Sequence, residues 1–288
     1  MATIMLTTKT KISLASLAYK FIATGRAVAG KNNCATVRRR GLMWSLDLSE
    51  GIDFSIYLLG AFERSTVITL EKLVKPGDVV FDIGANIGAH TLGLARSVGP
   101  TGGVFAFEPT DFAFDKLKRN LALNPELQAR THPRQILLAA SAAGDAPKEI
   151  FASWPLEEDT SVHPKHRGRP VTARNAAVDT LDRFVAREGI ERLNVIKIDV
   201  DGHELPVLQG GLAVLTKFRP VLVMELSPYV HAEEHNSFPA LVALLRDAGY
   251  SIQHASTWAP LPLKENELEA LIPDGASINV IARSDVRP

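Results

Sequence analysis

Short apolar runs alternate with helix-length segments from residue 79 onward. Seven runs have the β-branched and aromatic composition of strands: 79–83, 104–108, 135–139, 195–199, 221–225, 251–255 and 278–282. The first five are almost continuously apolar, which predicts strands that are covered on both faces. The segments between them that have the periodicity of helices are 89–98, 111–123, 203–218 and 237–248. This alternation predicts a doubly wound α/β sheet with helices on both faces.

The first 46 residues carry only positive charge. They contain eight Lys and Arg residues and no acid, so the rest of the chain has eight more acids than bases. One interpretation is an amphipathic basic helix that rests on an anionic membrane. The interpretation that we favour is a solvated helix that packs on the main domain.

Composition excludes several classes of protein. The chain has 288 residues, is 46% hydrophobic and balances 32 basic against 32 acidic residues, which is typical of a globular protein without an overall field that attracts nucleic acid. Cys34 is the single cysteine, which excludes an intrachain disulfide and favours a reducing compartment. Lys20 and Arg26 interrupt the apolar segment 12–30, which argues against a membrane span or a signal peptide. We therefore expect a cytoplasmic protein, with peripheral contact at the inner membrane face as the alternative for the basic N-terminal segment.

A polar and irregular stretch occupies residues 142–190. It contains Trp154-Pro155 and a basic run at 163–170 but no strong periodicity. Loops of this length inside a compact domain are commonly functional. We expect the stretch to insert over the edge of the sheet or over the active site.

The first strand ends in Asp82 and continues into a turn that contains glycines. Gly84 and Gly88 allow the backbone of this turn to approach a ligand closely. Their Gly-x-x-x-Gly spacing differs from the Gly-x-Gly-x-x-Gly that places a pyrophosphate on a helix N-terminus, and no Gly-Lys-Ser/Thr follows. A dinucleotide and a nucleoside triphosphate are therefore disfavoured as ligands.

Glu108 ends the second strand, 24 residues after Gly84. At this place an open α/β sheet presents a carboxylate to the hydroxyls of a bound ribose. Because a carboxylate can accept both hydrogen bonds of a diol, the sequence predicts a nucleoside without a phosphate as the ligand.

The fourth strand ends in two acids. Strand alternation places Lys197, Asp199 and Asp201 on one side, at the edge where open α/β sheets bind ligands. Either aspartate is a candidate general base. His203 competes because an imidazole titrates near neutrality, although a histidine at the start of a helix is also a common structural feature.

Two further patterns raise the question of a metal. Asp199, Asp201 and Glu225 are strand-end carboxylates that could hold a divalent cation, but a cofactor amine or an acceptor proton would serve equally as their partner. Residues 231–235 fit the His-x-x-Glu-His pattern of one class of zinc peptidase. No third zinc ligand is evident, so we disfavour a zinc hydrolase and expect no metal site.

Several motifs occur together in a fixed order: Gly60-Ala-Phe-Glu63, Asp82-Ile-Gly-Ala-Asn-Ile-Gly88, Phe107-Glu108-Pro109, Thr180-Leu-Asp182 and Lys197-Ile-Asp-Val-Asp-Gly-His-Glu204. In this combination the chain resembles the FkbM-type family of S-adenosylmethionine-dependent methyltransferases, from about Gly60 to Tyr250. The resemblance implies a class I methyltransferase fold, a Rossmann-like sheet of seven strands with the last one antiparallel. It also implies S-adenosylmethionine as the cofactor.

The resemblance further implies roles for single residues. Those that would hold the methionine part of the cofactor are Glu63, Asp82, Gly84, Asn86 and Gly88. Glu108 would bind the ribose, Ser141 would flank the adenine, and Pro109 would also contact the cofactor. Asp199 and Asp201 would face the transferred methyl group or the acceptor, and Asp199 would also contact the cofactor. Two residues depart from the family pattern, Asp201 where Glu is more usual and His90 where Tyr or Phe is more usual.

These inferences predict two parts, a basic helical extension over residues 1–59 and a methyltransferase domain over 60–288. The expected reaction is O-methylation of a hydroxyl on a sugar, lipid-linked or secondary-metabolite acceptor. No Asn/Asp-Pro-Pro-Tyr/Phe motif follows the fourth strand, which removes one common signature of amino-group methylation. An N-methyltransferase and a noncatalytic scaffold that binds S-adenosylmethionine stay open as alternatives.

Overall fold

The computed structural model describes residues 8–143, 150–157, 159, 161–162, 168–233 and 237–284. The helices are α1 (Thr8–Val28), α2 (Gly51–Leu59), α3 (Arg64–Leu73), α4 (Thr91–Ser97), α5 (Asp111–Ala122), α6 (Pro125–Gln128), α7 (Leu181–Arg187), α8 (Glu204–Gln209), α9 (Leu212–Phe218), α10 (Pro228–Glu233), α11 (Phe238–Asp247) and α12 (Glu265–Ala270). The strands are β1 (Cys34–Arg39), β2 (Leu42–Asp47), β3 (Val79–Ile83), β4 (Gly103–Phe107), β5 (Thr131–Arg134), β6 (Ile136–Leu138), β7 (Ile150–Ser153), β8 (Arg169–Val171), β9 (Ala177–Asp179), β10 (Val195–Ile198), β11 (Val221–Leu226), β12 (Tyr250–His254), β13 (Pro260–Leu261) and β14 (Ile278–Ser284).

The central sheet has the strand order β13-β12-β14-β11-β10-β3-β4-β5. The strands β5, β4, β3, β10 and β11 run parallel, and β14 lies antiparallel between β11 and β12. Helices cover both faces of the parallel part, which is why all four side chains of β10 are buried. The predicted doubly wound sheet with an antiparallel last strand is confirmed, and its order is that of the class I methyltransferase fold.

The third predicted strand lies in a different place from the one expected. The sequence predicts residues 135–139 in the central sheet, but β6 pairs instead with β9 in a separate two-stranded sheet. The edge position beside β4 belongs to β5, whose sequence contains His132 and Pro133. Proline is compatible with an edge strand because its missing N–H faces away from the ladder. At the opposite edge, the two residues of β13 add an eighth strand.

The helix predicted over 203–218 is divided into α8 and α9. The break falls at Gly210 and Gly211, where the chain passes close to its neighbours. A Cβ at Gly210 would lie 2.1 Å from the carbonyl oxygen of Ala139, and one at Gly211 would lie 2.7 Å from the side chain of Leu181. Close packing against neighbouring segments therefore requires glycine at both positions, and the helix breaks there.

Hydrophobic side chains pack in two layers, one on each face of the sheet. Because side chains alternate along a strand, Phe81 faces one layer with Phe184 while Val80 faces the other layer with Val104.

The predicted N-terminal extension forms α1, the β1–β2 hairpin and α2. Trp44 of the hairpin is buried in the same layer as Val80. A domain boundary between residues 59 and 60 stays a prediction. Among the described residues, no helix is both long enough and apolar enough to cross a bilayer.

Candidate functional site

A cavity of about 850 Å³ opens at the carboxyl ends of the parallel strands. It lies over β3 and β10, between which the order of the strands reverses, and this is where open α/β sheets bind ligands. Most of the predicted site residues line it: Glu63, Gly84, Asn86, Glu108, Pro109, Asp199, Asp201 and His203.

The turn after β3 is shaped by its contact with the neighbouring strand. Gly84 has a φ of 76°, and a Cβ there would lie 1.8 Å from the carbonyl oxygen of Asp199. Only glycine allows the turn to pass this close to the end of β10. Gly88 instead packs against the side chains of Leu92 and Leu117, and it does not line the cavity.

Glu108 is fixed by the backbone of this turn and of its own strand end. Its Oε1 accepts hydrogen bonds from the N–H (2.9 Å) and Oγ1 (2.6 Å) of Thr110, and its Oε2 accepts one from the N–H of Asn86 (2.9 Å). Burial raises the pKa of Glu108, although these hydrogen bonds oppose the rise. Each carboxylate oxygen can accept two hydrogen bonds, so Oε2 has capacity for a ligand hydroxyl.

Lys197 is a buried cation at the floor of the cavity. Its Nζ lies 3.3 Å from Asp82 and 3.5 Å from Asp199, and it donates a hydrogen bond of 2.8 Å to the carbonyl of Gly84. Burial lowers the pKa of Lys197, but the two carboxylates outweigh burial and the pKa lies above its ordinary value. Lys197 therefore stays charged. Asp82, which also accepts a hydrogen bond of 2.6 Å from Thr91, lies behind the cavity wall.

Three acids crowd one wall of the cavity. Asp199, Asp201 and Glu225 each have a carboxylate oxygen within 4.8 Å of the others. Burial raises the pKa of each, and the charges of neighbouring carboxylates add to the rise. A positively charged ligand would relieve this repulsion.

Backbone strain concentrates at the same cavity. Six described residues other than glycine have a left-handed backbone, and three of them line the cavity: Glu63 (φ 43°), Asn86 (φ 47°) and Asp201 (φ 48°). Such conformations persist where the surrounding structure holds them, and they cluster at functional sites. All three residues are among those predicted from the sequence.

His90 is a buried imidazole on the cavity wall. Among the described residues, neither of its ring nitrogens has a hydrogen-bond partner. One of its ring nitrogens lies within 4.8 Å of carboxylate oxygens of Glu63 and Asp199. Burial and the charge of Lys197 lower its pKa to about 4, so the ring is neutral at physiological pH.

Glu204 and His231 form a buried pair beside the acids. His231 Nε2 lies 3.1 Å from Glu204 Oε2, and Glu204 Oε1 accepts a hydrogen bond of 3.2 Å from the N–H of Val200. Burial raises the pKa of Glu204, but the adjacent imidazole of His231 and the N–H groups near the carboxylate outweigh burial, and the pKa lies below its ordinary value. The pair ties α10 to the loop that carries Asp201. Residues 234–236, which complete the zinc-peptidase pattern, lie outside the described residues.

Three predicted cofactor residues do not line the cavity: Asp82, Gly88 and Ser141. Ser141 is exposed, and its hydroxyl accepts a hydrogen bond of 3.2 Å from the N–H of Ala143. Its role stays a prediction.

Sequence reasoning missed the wall that β14 supplies. Asn279 donates a hydrogen bond of 3.3 Å to Glu63, and Ser277 donates one to Glu225. The signal for Asn279 was a polar residue inside the apolar run 278–282. Trp154 and Leu156, from the irregular stretch, also line the cavity.

The chemistry of these groups fits S-adenosylmethionine. Its sulfonium and ammonium are cations, and the crowded acids with raised pKa values favour cations. The ribose has two hydroxyls that suit Glu108, and apolar side chains beside it, those of Phe107, Ile136 and Leu138, suit the faces of an adenine.

Comparisons with known proteins also indicate a methyltransferase that uses S-adenosylmethionine. A family model described as the methyltransferase FkbM domain matches residues 82–252. Methyltransferase sdnD of Sordaria araneosa is 31% identical over 207 residues, which cover 63% of this chain and 77% of that protein. Hexuronic acid methyltransferase AglP of Haloferax volcanii is 30% identical over 161 residues (56% of this chain, 61% of that protein). The 31-O-demethyl-FK506 methyltransferase FkbM of Streptomyces tacrolimicus is 30% identical over 204 residues (62% of this chain, 75% of that protein).

Proposed function

Because this chain belongs to the FkbM family of S-adenosylmethionine-dependent methyltransferases, we propose that it methylates a hydroxyl oxygen on a sugar, lipid-linked or secondary-metabolite acceptor. Two relatives support this class of acceptor by their names, one as a hexuronic acid methyltransferase and one as a 31-O-demethyl-FK506 methyltransferase. The observation that carries the proposal is the group of crowded acids at the switch point of the sheet.

Methyl transfer from a sulfonium makes two demands on the protein. When bound, the cofactor supplies an activated methyl group on a positively charged sulfur. The protein must align an acceptor lone pair with that methyl group and must accept the proton of the acceptor hydroxyl. Both tasks suit carboxylates that face a shared cavity.

Asp201 is the best candidate for the general base. Its pKa is raised well above the ordinary value by burial and by the charges of Asp199 and Glu204, which makes it a better proton acceptor. Asp199 is less suited because it lies 3.5 Å from the charged Lys197. We assign Asp199 to the positive end of the cofactor and Glu108 to its ribose. His203 lines the same cavity and stays the competing base.

Calorimetric titration with S-adenosylhomocysteine tests the cofactor half of the proposal. We expect binding by the wild type, and loss of binding in Glu108→Ala and in Gly84→Arg. Asp115→Ala, which removes an exposed acid, is the matched control and should bind normally. Absence of binding by folded wild-type protein would contradict the proposal.

Transfer of a labelled methyl group to fractions of a cell extract tests the catalytic half. In Asp201→Asn we expect turnover to fall by about 100-fold or more while cofactor affinity is retained, since a general base contributes on the order of 100- to 10,000-fold. Asp201→Glu, the residue more usual in the family, should keep most of the activity. Chelation by EDTA should leave turnover unchanged. Cofactor binding without turnover on any fraction would favour the noncatalytic scaffold.

A further inference from the structure

Exposed hydrophobic side chains concentrate on two neighbouring helices. Ten large hydrophobic side chains are exposed among the described residues, and six of them lie on α1 and α2. We call these six residues the apolar patch: Leu14, Leu17, Phe21, Val28, Leu58 and Leu59. Phe21 is 83% exposed and Val28 is 86% exposed. A concentration of this kind marks an interaction surface, whereas scattered exposed residues do not.

The patch is not the side of α1 that holds the helix to the protein. The side chains of α1 that pack on the core include Ile12, Ala15, Tyr19 and Ile22, which recur at helical spacing. The patch residues of α1 recur on a second face, whose centre lies more than about a quarter of a turn from the centre of the first. The apolar residues on this second face are exposed, so packing on the core does not account for them.

The patch continues into the catalytic cavity. Leu14, Leu58 and Leu59 are exposed and also line the cavity. Apolar side chains extend the same wall inward, among them Phe62 and Trp154. An apolar surface therefore runs from the outside of α1 and α2 toward the acids at the strand ends.

The segment that carries most of the patch is positively charged. The first 46 residues contain eight basic residues and no acid, in a chain whose overall charge is zero. Lys20 is exposed on α1, and Lys31 is exposed just beyond its end. A second copy of this chain would bring an equally positive face to the patch, whereas an anionic lipid surface complements both its charge and its hydrophobicity.

We propose that the apolar patch docks on an anionic lipid surface and that an acceptor with an apolar chain enters the cavity from this surface. In this arrangement α1 lies in the interface without crossing it. The hydroxyl of the acceptor would reach the acids while its apolar chain occupies the wall formed by Leu14, Leu58 and Leu59. This second part, which narrows the acceptor to an amphiphilic alcohol, rests on the proposed function.

Co-sedimentation of the full chain with vesicles tests the docking. We expect binding to vesicles of phosphatidylcholine with phosphatidylglycerol and much weaker binding to phosphatidylcholine alone. Phe21→Ser should weaken binding by roughly tenfold or more, because one buried aromatic side chain is lost from the lipid contact. Lys20→Gln should weaken binding to the anionic vesicles alone by about fivefold.

The matched control is Leu212→Ser, which removes a half-exposed leucine of α9 outside the patch. It should bind vesicles as the wild type does. Every variant should keep its affinity for S-adenosylhomocysteine, because none of the three residues lines the cavity. Vesicle binding that survives Phe21→Ser, or that is absent from the wild type, would overturn the docking.

Analytical ultracentrifugation tests whether a second copy of this chain occupies the patch instead. A wild-type dimer that Phe21→Ser dissociates, in a protein that does not bind vesicles, would show self-association and overturn the proposal. Vesicle binding without cofactor binding would leave the docking intact and would contradict the proposed function instead.

The second part of the proposal is tested by the chemistry of the product. If the acceptor has an apolar chain, labelled product should partition into the organic phase of an extracted reaction. Product found in the aqueous phase alone would overturn the second part.

Discussion

Lys197 shows how single buried residues organise this site. The lysine contacts the carboxylates of Asp82 and Asp199, one behind the cavity wall and one on it. Asp82 therefore lies behind the wall of the cavity, although the motif that contains it is the clearest signature in the sequence, and its contact with the cofactor stays a prediction. Its contribution is to hold the lysine, which in turn holds Asp199.

We predict that Lys197→Met destabilises the fold and abolishes cofactor binding. The substitution leaves two carboxylates close together without their cation, and breaking a buried pair in this way costs about 3 to 5 kcal/mol. Urea denaturation and calorimetric titration with S-adenosylhomocysteine measure the two effects. Lys118→Met removes an exposed lysine and should change stability by less than about 0.5 kcal/mol. Equal stability of the two variants would contradict the role given to Lys197.

We predict that His90 makes stability depend on pH. In the unfolded chain this histidine takes up a proton near pH 6.5, whereas in the folded protein its pKa is lowered to about 4. Between these values the unfolded state binds more protons, so stability falls as the pH is lowered through this window. The total loss is about 3 kcal/mol, on the basis of about 1.4 kcal/mol for each pKa unit.

Comparison with His90→Phe isolates this effect, because the substitution removes this one ionisable group and keeps a ring of similar size. The stability of the wild type relative to His90→Phe should fall on acidification across that window. His254→Phe, at a partly exposed histidine, is the control and should follow the wild type. A difference between wild type and His90→Phe that does not change with pH would show that the ring accepts a proton in the folded protein.

Among the elements, predictability follows burial. The strands β3, β4, β10 and β11 are runs of apolar residues because helices cover both of their faces, and the sequence predicts each of them. The edge strand β5 is partly exposed and contains His132 and Pro133, so it lacks this signal and the sequence does not predict it. The residues at the carboxyl ends of buried strands are predictable for the same reason, because parallel strands bring these ends together. Leu14 reaches the site from far along the chain, and its place there depends on tertiary packing that no local pattern encodes. Asn279 is marked as a polar residue inside an apolar run, but its contact with Glu63 also depends on tertiary packing.

Two glycines provide a matched test of packing between elements. Gly210 separates α8 from α9, and a Cβ there would lie 2.1 Å from the backbone of Ala139. We predict that Gly210→Ala destabilises the protein by about 1 to 3 kcal/mol, as overpacking does. Gly93 lies inside α4, where a Cβ would meet no other described part of the chain within 4 Å, so Gly93→Ala should stabilise by about 0.5 to 1 kcal/mol. Thermal denaturation compares the two, and shifts of the same sign would contradict the packing argument.

For the whole molecule, the N-terminal segment serves two separate purposes. The β1–β2 hairpin and most of α2 complete the core on one face of the sheet, whereas α1 carries most of the apolar patch and packs on this core with its other face. Residues 42–56 include Trp44, Leu48 and Phe54, all almost fully buried. Each such side chain contributes about 1.5 to 3 kcal/mol by burial. Their sum is comparable with the whole stability of a domain, which is about 5 to 15 kcal/mol.

Two truncations follow from this division. We predict that a fragment of residues 60–288 does not fold, because it lacks the hairpin and α2, while a fragment of residues 31–288 folds and binds S-adenosylhomocysteine. The fragment of residues 31–288 keeps Phe54 but loses the packing of Tyr19 against it, at a cost of about 3 kcal/mol. It also lacks the α1 part of the patch, so it should fail to bind anionic vesicles. Circular dichroism, calorimetry and co-sedimentation measure these three properties. A folded fragment of residues 60–288 would establish the predicted boundary as that of an independent domain and would show that the N-terminal core contacts are dispensable.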